Sequence, residues 1–300
     1  MKINEMRPLE HNFTEVLKML ALIPKMLYFY GNLPKNRLKC VAIVGSRKNT
    51  SYGEEVAYRA AYEAAKAGAV VVSGLAYGID SIAHRGALDA GGITIAVLGT
   101  PIDQIYPTAH KGLAREIVEN GGAVISEYPK GAVPAGGQEM KTRFLERNRI
   151  IAGLSDVVLI AEAAARSGSL NTAMHALDTG KDLMSVPADI TRINSAGCNK
   201  LISQGAIPYT EPADLLGLLF PERKVKKYKG KSRIEIENQL SLFAETEVEA
   251  KVLAQILAGV RDGDEIIATT AVSASDFGRA VTMLEIKGAI KSLGANKWGI

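Results

Sequence analysis

Cysteine is nearly missing: Cys40 and Cys198 are the only two among 300 residues, distant from each other and without a second Cys or a His at metal-ligand spacing. That argues against a disulfide framework and a zinc site, and it fits a chain kept in a reducing cytoplasm. Long apolar runs are missing as well. The opening Met1-Lys2-Ile3-Asn4-Glu5 lacks the charged-then-apolar order of a signal peptide, and Lys18, Pro24 and Lys25 break up the most apolar early stretch. Neither a membrane span nor an anchor is expected. There is no Gly-x-Gly-x-x-Gly and no Walker A sequence, which removes the usual ground for binding a dinucleotide or ATP, and no cofactor is expected. Charge of one sign is not in large excess: 36 Lys and Arg against 32 Asp and Glu leave a net charge of +4, compatible with nucleic acid without requiring it.

What the chain does have is apolar content. At 47% hydrophobic, 300 residues suffice for one large domain and a small one. Residues 1–36 read as a short leader, with a helix over Thr14–Leu22 and an aromatic segment ending at Tyr28-Phe29-Tyr30-Gly31. From Val41 onward, strand-length apolar runs alternate with helical stretches. The strands expected are Val41–Val44, Ala69–Ser73, Thr94–Leu98, Ala123–Glu127, Val157–Glu162 and Leu183–Val186. The helices between and after them are near Tyr52–Ala67, Ser81–Ala90, Ala109–Asn120, Leu145–Gly153, Leu170–Thr179 and Ala196–Gln204. Continuous apolar runs of this length belong to a parallel sheet covered on both faces, so 37–220 reads as a Rossmann-like, doubly wound α/β domain.

After Pro221 seven cations fall within eleven residues, from Arg223 to Arg233. Such a run cannot pack, and 221–243 reads as a solvated basic linker, either a plain tether or a non-specific nucleic-acid contact. Helical patterning returns over 244–300. Capping boxes at Thr246 and Ser273 open helices to about Leu257 and Lys287, and a hairpin turning near Gly294 follows, which together suggest a winged-helix-like module.

Ligands of open α/β sheets bind beyond the carboxyl ends of the strands. Three turns there carry small residues. Gly45-Ser46-Arg47 follows the first core strand; Ser73-Gly74-Leu75-Ala76-Tyr77-Gly78 follows the second; Arg166-Ser167-Gly168-Ser169 follows the fifth. One such turn is ordinary, whereas three on one sheet edge point to an extended polyanion site. Lys141 and Arg143 precede Phe144, with Arg147, Asn148 and Arg149 just beyond, so cations and a ring are concentrated where backbone phosphates and an exposed base could be held. The competing reading makes Phe144 a core residue and gives one of Arg147 and Arg149 a structural ion pair with Glu146, Asp156 or Glu162. The neighbours Lys141, Thr142 and Arg143 argue for an exposed loop. His84, with no carboxylate or nucleophile patterned beside it, reads as a helix residue satisfied locally.

In this order the motifs resemble the DNA-processing protein A family (DprA, also called Smf). Those that carry the likeness are Val44-Gly45-Ser46-Arg47, Ser73-Gly74-Leu75-Ala76, Gly78-Ile79-Asp80, Ala83-His84-Arg85-Gly86, Tyr106-Pro107, Ser126-Glu127, Arg147 to Ser155, and Ser167-Gly168-Ser169-Leu170. The resemblance covers about 24–216, and the C-terminal module is similar more loosely. It implies a non-enzymatic, homodimeric protein that binds single-stranded DNA and helps load the RecA recombinase in natural transformation. By resemblance Arg47 and Lys141 hold phosphates and Phe144 stacks on a base, while Gly45, Ser46, Ser73, Gly74, Asn148, Ser167, Gly168 and Ser169 shape the groove and Arg147 belongs to the same set. Three departures stand out. Tyr77 replaces an Arg usual in the family, which predicts weaker DNA binding; Thr100-Pro101 replaces a Gly-bearing loop; and the usual N-terminal helical domain is expected to be absent.

Two other function classes compete. A phosphoribohydrolase-like Rossmann enzyme would carry Pro-Gly-Gly-x-Gly-Thr with a following Glu, and Ser167-Gly168-Ser169-Leu170-Asn171-Thr172 lacks that pattern. A duplex-reading C-terminal module would need more cations than Arg279 and Lys287 on its last helix.

Overall fold

The computed structural model describes residues 2–133, 136–222 and 244–299. Its contacts divide the chain into two units, Met1–Tyr228 and Lys229–Ile300. The basic run from Arg223 to Arg233 lies outside the described residues.

In the first unit the chain enters the sheet earlier than the leader reading anticipates. Asn4–Met6 (β1) and Leu27–Gly31 (β2) are strands, β1 antiparallel to β2 and β2 antiparallel to the sixth strand, with Tyr28 opposite Ser126 and Tyr30 opposite Val124. The helix expected over Thr14–Leu22 is a 3₁₀ segment, Glu15–Met19, because Leu20 turns extended at ψ 134°. Phe13 and Leu17 are nonetheless fully buried.

Cys40–Gly45 (β3) begins the parallel part, followed by Ser51–Lys66 (α1), Val70–Ser73 (β4), Ile79–Asp89 (α2), Thr94–Leu98 (β5), Lys111–Glu119 (α3) and Ala123–Ser126 (β6). Then come Gly137–Leu154 (α4), Val157–Glu162 (β7), Ser169–Asp178 (α5), Asp182–Ser185 (β8), Ala196–Ser203 (α6), Ile207–Pro208 (β9) and Pro212–Leu219 (α7). The nine strands run in the order β1-β2-β6-β5-β4-β3-β7-β8-β9. From β3 the chain winds outward one way through β4, β5 and β6, then returns to place β7 on the other side of β3. The doubly wound, Rossmann-like expectation therefore holds, with the switch point between β3 and β7.

Alternation along the strands assigns the two faces. Ala42 and Val44 of β3 pack with Ile150, Ile151, Leu154 and Ala173, under α4 and α5. Val41 and Ile43 pack with Ala57, Ala60, Ala61, Ile79 and Leu219, under α1, α2 and α7. Both faces are covered, so every second residue need not be polar. α1 buries only small residues, Gly53 and five alanines, and at Gly86 a Cβ would come 3.1 Å from the Ala61 methyl, so the small residues let α1 and α2 approach closely.

α4 is twice as long as the periodicity predicts and takes in Lys141, Thr142 and Arg143, which had read as a loop. Gln, Glu, Met and Lys are good helix formers. The Arg143–Glu139 pair at 2.7 Å and the Thr142 hydroxyl donating to the Gln138 carbonyl at 3.1 Å close the added turns.

The described residues of the second unit form three helices and a hairpin: Glu247–Leu257 (α8), Gly263–Thr270 (α9), Ala274–Ile286 (α10), Lys291–Gly294 (β10) and Lys297–Gly299 (β11). Thr246 and Ser273 cap α8 and α10 as expected, accepting from the Glu249 and Asp276 amides. α9, capped by Asp262, has no counterpart in the sequence reading. Its own core of Val252, Leu253, Ile266, Phe277 and Leu284 holds the module together.

Candidate nucleic-acid interface

At the switch point the chain leaves the paired ends of β3 and β7 toward opposite faces of the sheet, and a cleft of about 580 Å³ opens over them. Gly45, Ser46 and Arg47 line one side, Ser167, Gly168 and Ser169 the other, and Lys141, Phe144, Arg147 and Asn148 descend from α4. Ten of the residues singled out in the sequence, from segments more than a hundred positions apart, thus meet around one space.

The β3 turn needs its glycine. A Cβ on Gly45 would sit 2.8 Å from the Glu162 carbonyl and 2.7 Å from the Ile79 side chain. The Ser46 amide donates to the Glu162 carbonyl at 2.8 Å, and the Ser46 hydroxyl accepts from the Lys48 amide at 3.1 Å. Glu162 itself is buried. Its carboxylate accepts from the Thr50 amide (3.0 Å) and hydroxyl (2.9 Å), tying the end of β7 to the start of α1.

Two consecutive α4 residues brace the loops on either side. Arg147, 3% exposed, donates to the Gly74 carbonyl at 2.7 Å and to the Val97 carbonyl, joining the ends of β4 and β5. Burial lowers its pKa to about 10, opposed by the nearby Asp80 carboxylate, so it stays charged at neutral pH. Asp80 receives the Gly74 amide at 3.1 Å, and burial raises its pKa while Arg147 opposes the shift. Asn148 donates to the Gly168 carbonyl at 3.4 Å and to Asn171 Oδ1 at 3.2 Å, holding the β7 turn. There the Ser167 and Ser169 hydroxyls bond each other at 2.7 Å ahead of α5, whose N-cap Gly168 offers no side chain.

Above this bracing lies an exposed layer. The Phe144 ring is half-buried, with the Arg47 guanidinium 5.3 Å and the Arg147 guanidinium 5.8 Å from its centroid. Gly99 makes room for it, since a Cβ there would come within 2.6 Å of the ring. Arg47, Lys48, Lys141 and Arg166 are exposed at the rim, and among the described residues none of the four is in an ion pair. Lys48 and Arg166 were not among the residues chosen from sequence; cations inside the βα turns were the available signal. Asp80 is the sole carboxylate among the described lining residues.

Three chosen residues stand apart from the cleft lining. The Ser73 hydroxyl turns into the sheet and donates to the Ile43 carbonyl at 2.7 Å. Gly74 passes beneath Arg147, whose guanidinium a Cβ would approach to 2.6 Å. Tyr77 is half exposed and packs edge-on against His110, ring centroids 4.9 Å apart. Arg149 pairs with Glu127 at 2.7 Å, not with Glu146, Asp156 or Glu162. His84 is fully buried on the core side of α2. The Thr94 hydroxyl donates its one proton to the Val71 carbonyl, so His84 Nδ1–H must donate to Thr94 Oγ1 at 2.7 Å. On α10 of the second unit Arg279 is exposed, whereas Lys287 at its end is engaged by Glu245 (3.3 Å) and Glu249 (3.0 Å).

Comparison with known proteins finds relatives for both units. The family model described as DNA recombination-mediator protein A matches residues 5–219, and the DprA winged helix domain matches 238–296. Protein Smf of Escherichia coli is 42% identical over 193 residues, 64% of this chain and 50% of its own length. DNA processing protein DprA of Streptococcus pneumoniae is 42% identical over 193 residues, 64% of this chain and 66% of its own. The matches thus span half to two thirds of these relatives. The crystal structure of the Streptococcus pneumoniae protein superposes with a TM-score of 0.65 at 38% identity, over 72% of this chain and 74% of that one. The Helicobacter pylori DNA processing protein A, a structure concerned with its single-stranded DNA binding mode, gives 0.64 at 33% identity over 74% and 97%. With a Rossmann-like unit and a winged-helix unit both matched, the chain belongs to the DprA/Smf family of DNA processing proteins.

Proposed function

We propose that this chain binds single-stranded DNA in the switch-point cleft, without catalysing a reaction on it. The observation that carries the reading is the exposed layer of four unpaired cations, Arg47, Lys48, Lys141 and Arg166, around the half-buried Phe144 ring. Cations spaced around a cleft suit a phosphate chain, and a part-exposed ring among them suits a base. Arg47 and Lys141 are the phosphate contacts and Phe144 the stacking platform; Gly45, Ser46, Ser167, Gly168 and Ser169 line the path, while Ser73, Gly74, Arg147 and Asn148 support it from below. Tyr77 flanks this path in place of an arginine. That the Helicobacter pylori relative binds single-stranded DNA supports single-stranded DNA as the ligand here.

Family membership extends the proposal to a cytoplasmic homodimer that protects incoming strands and helps load the RecA recombinase in transformation and recombination. The division proposed is a DNA-binding domain up to about 220, into which the residues read as a leader (1–36) are folded through β1 and β2, a basic linker (221–243) and a winged-helix-like domain (244–300). A phosphoribohydrolase-like reaction is not favoured, because Asp80, the one carboxylate among the described cleft residues, is spent on the Gly74 and Ala76 amides.

The test is a fluorescence titration of single- against double-stranded oligonucleotides over a range of salt. Four cations at about −0.7 each predict a slope of log K on log salt near −3 for single strands. Lys141→Glu flattens the slope, and Phe144→Ala weakens binding by about 1–3 kcal/mol. A flat salt response with both variants unchanged would place any DNA contact elsewhere.

A further inference from the structure

Beyond Phe144, away from the Arg47 side, the surface does not end. The Tyr106 ring lies with its centroid 5.5 Å from that of Phe144, tilted by 37°, and 42% of the residue is exposed. It forms one wall of a second pocket of about 310 Å³, whose floor is Gly99, Thr100 and Pro101 at the end of β5 and whose other walls carry Lys111 and Arg143. Gly99 lies under Phe144, which lines the cleft, and itself floors this pocket. The two cavities therefore share one aromatic ridge, with cations on each side.

Resting on the single-stranded DNA reading, we infer that this pocket is the next nucleotide subsite, in which Tyr106 is a second stacking platform and Lys111 the phosphate contact. The spacing favours a single strand. Paired rings 5.5 Å apart are wider than the about 3.4 Å rise per nucleotide of a duplex strand, and their tilt would splay neighbouring bases rather than leave them stacked. A duplex, whose bases face inward, presents no such splayed pair. Lys111 is exposed at the start of α3, so its ammonium is available to a backbone phosphate. Arg143 is already used: it pairs with Glu139 at 2.7 Å and lies over the Tyr128 ring at 4.6 Å, which makes it a wall and not the phosphate contact. Asp103, also lining the pocket, directs its carboxylate to the Gly131 amide at 3.2 Å. The floor is largely apolar, which suits a base edge turned in from the ridge.

The experiment uses the full chain. Oligothymidylates carrying a single 5-iodouracil at successive positions are cross-linked by light, and the modified peptide is located by mass spectrometry. The expected result is a cross-link to Tyr106 from the nucleotide adjacent to the one that reaches Phe144. In parallel titrations Tyr106→Ala is expected to lose about 10-fold in affinity, Tyr106→Phe to keep the parent value, and Lys111→Ala to lower the salt slope by about 0.7. If Phe144→Ala weakens binding while Tyr106→Ala does not, this subsite is wrong and the cleft reading stands. If Tyr106→Ala weakens binding but no position cross-links to Tyr106, the ring merely braces Phe144 and the subsite is again wrong. Parent-like binding by both variants would overturn the cleft reading itself.

Discussion

Arg147 and His84 carry similar chemistry to opposite ends. Both are buried. Arg147 keeps its charge because two carbonyls receive it and Asp80 lies close by, and that charge becomes the joint between the β4 and β5 loops. His84 has no anion beside it, and burial pulls its pKa down to about 3, with His110 and Arg147 adding repulsion. The sign follows directly. Above pH 6.5 neither the folded nor the unfolded histidine binds a proton, and nothing is lost. Below it the unfolded chain takes up a proton that the folded chain refuses, so stability falls by about 1.4 kcal/mol per pH unit, down to the folded value near 3. Denaturant unfolding of the parent and a His84→Asn variant at pH 6, 5 and 4 checks this: the parent is expected to lose stability more steeply by one proton's slope. Parallel curves would mean that His84 is solvated in the native state. His84 was readable as a structural residue because no partner chemistry stood near it in sequence. Arg149 was readable only as an ion-pair former, since its partner, Glu127, sits 22 positions away at the end of another strand.

At the scale of elements, α4 organises the cleft because its successive turns do different work. Lys141 and Phe144 face the opening, Arg147 and Asn148 reach the loops, and Ile150, Ile151 and Leu154 enter the core. Its C-terminal half announces itself by apolar spacing. The N-terminal half, mostly polar with Met140 and Phe144 as its apolar residues before Leu145, carries no such periodic signal and is set by local helix propensity and the Arg143–Glu139 pair. The start of α1 matters for a different reason. Gly53 lies against the Glu162 carboxylate, so a Cβ there collides with the group that holds Thr50 and, through it, the turn bearing Arg47. Gly53→Ala is expected to lower stability by about 1–3 kcal/mol, as overpacking of a tight site does, and to weaken oligonucleotide binding as well. Thermal unfolding and a titration on the same preparation check both; a stable variant with parent affinity would show that Glu162 swings aside freely.

For the whole molecule, two units with separate cores divide the labour unevenly. Every described residue lining the cleft and the Tyr106 pocket lies before Glu222. A chain ending at Glu222 is therefore expected to keep the single-strand affinity and the salt slope of the full chain. A shallower slope in the shortened chain would assign part of the phosphate contact to residues 223–300, where the basic run from Arg223 to Arg233 is the obvious source. Among the described residues, no helix is long and apolar enough to cross a membrane. α10 of the second unit presents few cations, and Lys287 at its end is already engaged by Glu245 and Glu249, which leaves little with which to grip a duplex.

Composition and periodicity determined the parallel sheet on their own, because strands buried on both faces must be continuously apolar and the helices between them must end where glycine permits. They also placed the Gly45, Gly74 and Gly168 turns on one sheet edge, since all three follow parallel strands. Two kinds of feature needed the fold. β1 and β2 are short edge strands with mixed burial, so their place in the sheet depends on pairing with β6 and not on their own pattern. And which cations are exposed is a matter of long-range partners: Arg147 and Arg149 were consumed by carbonyls and a carboxylate that only folding brings near, while Arg47, Lys48, Lys141 and Arg166 were left at the rim around Phe144, where a polyanion can meet them.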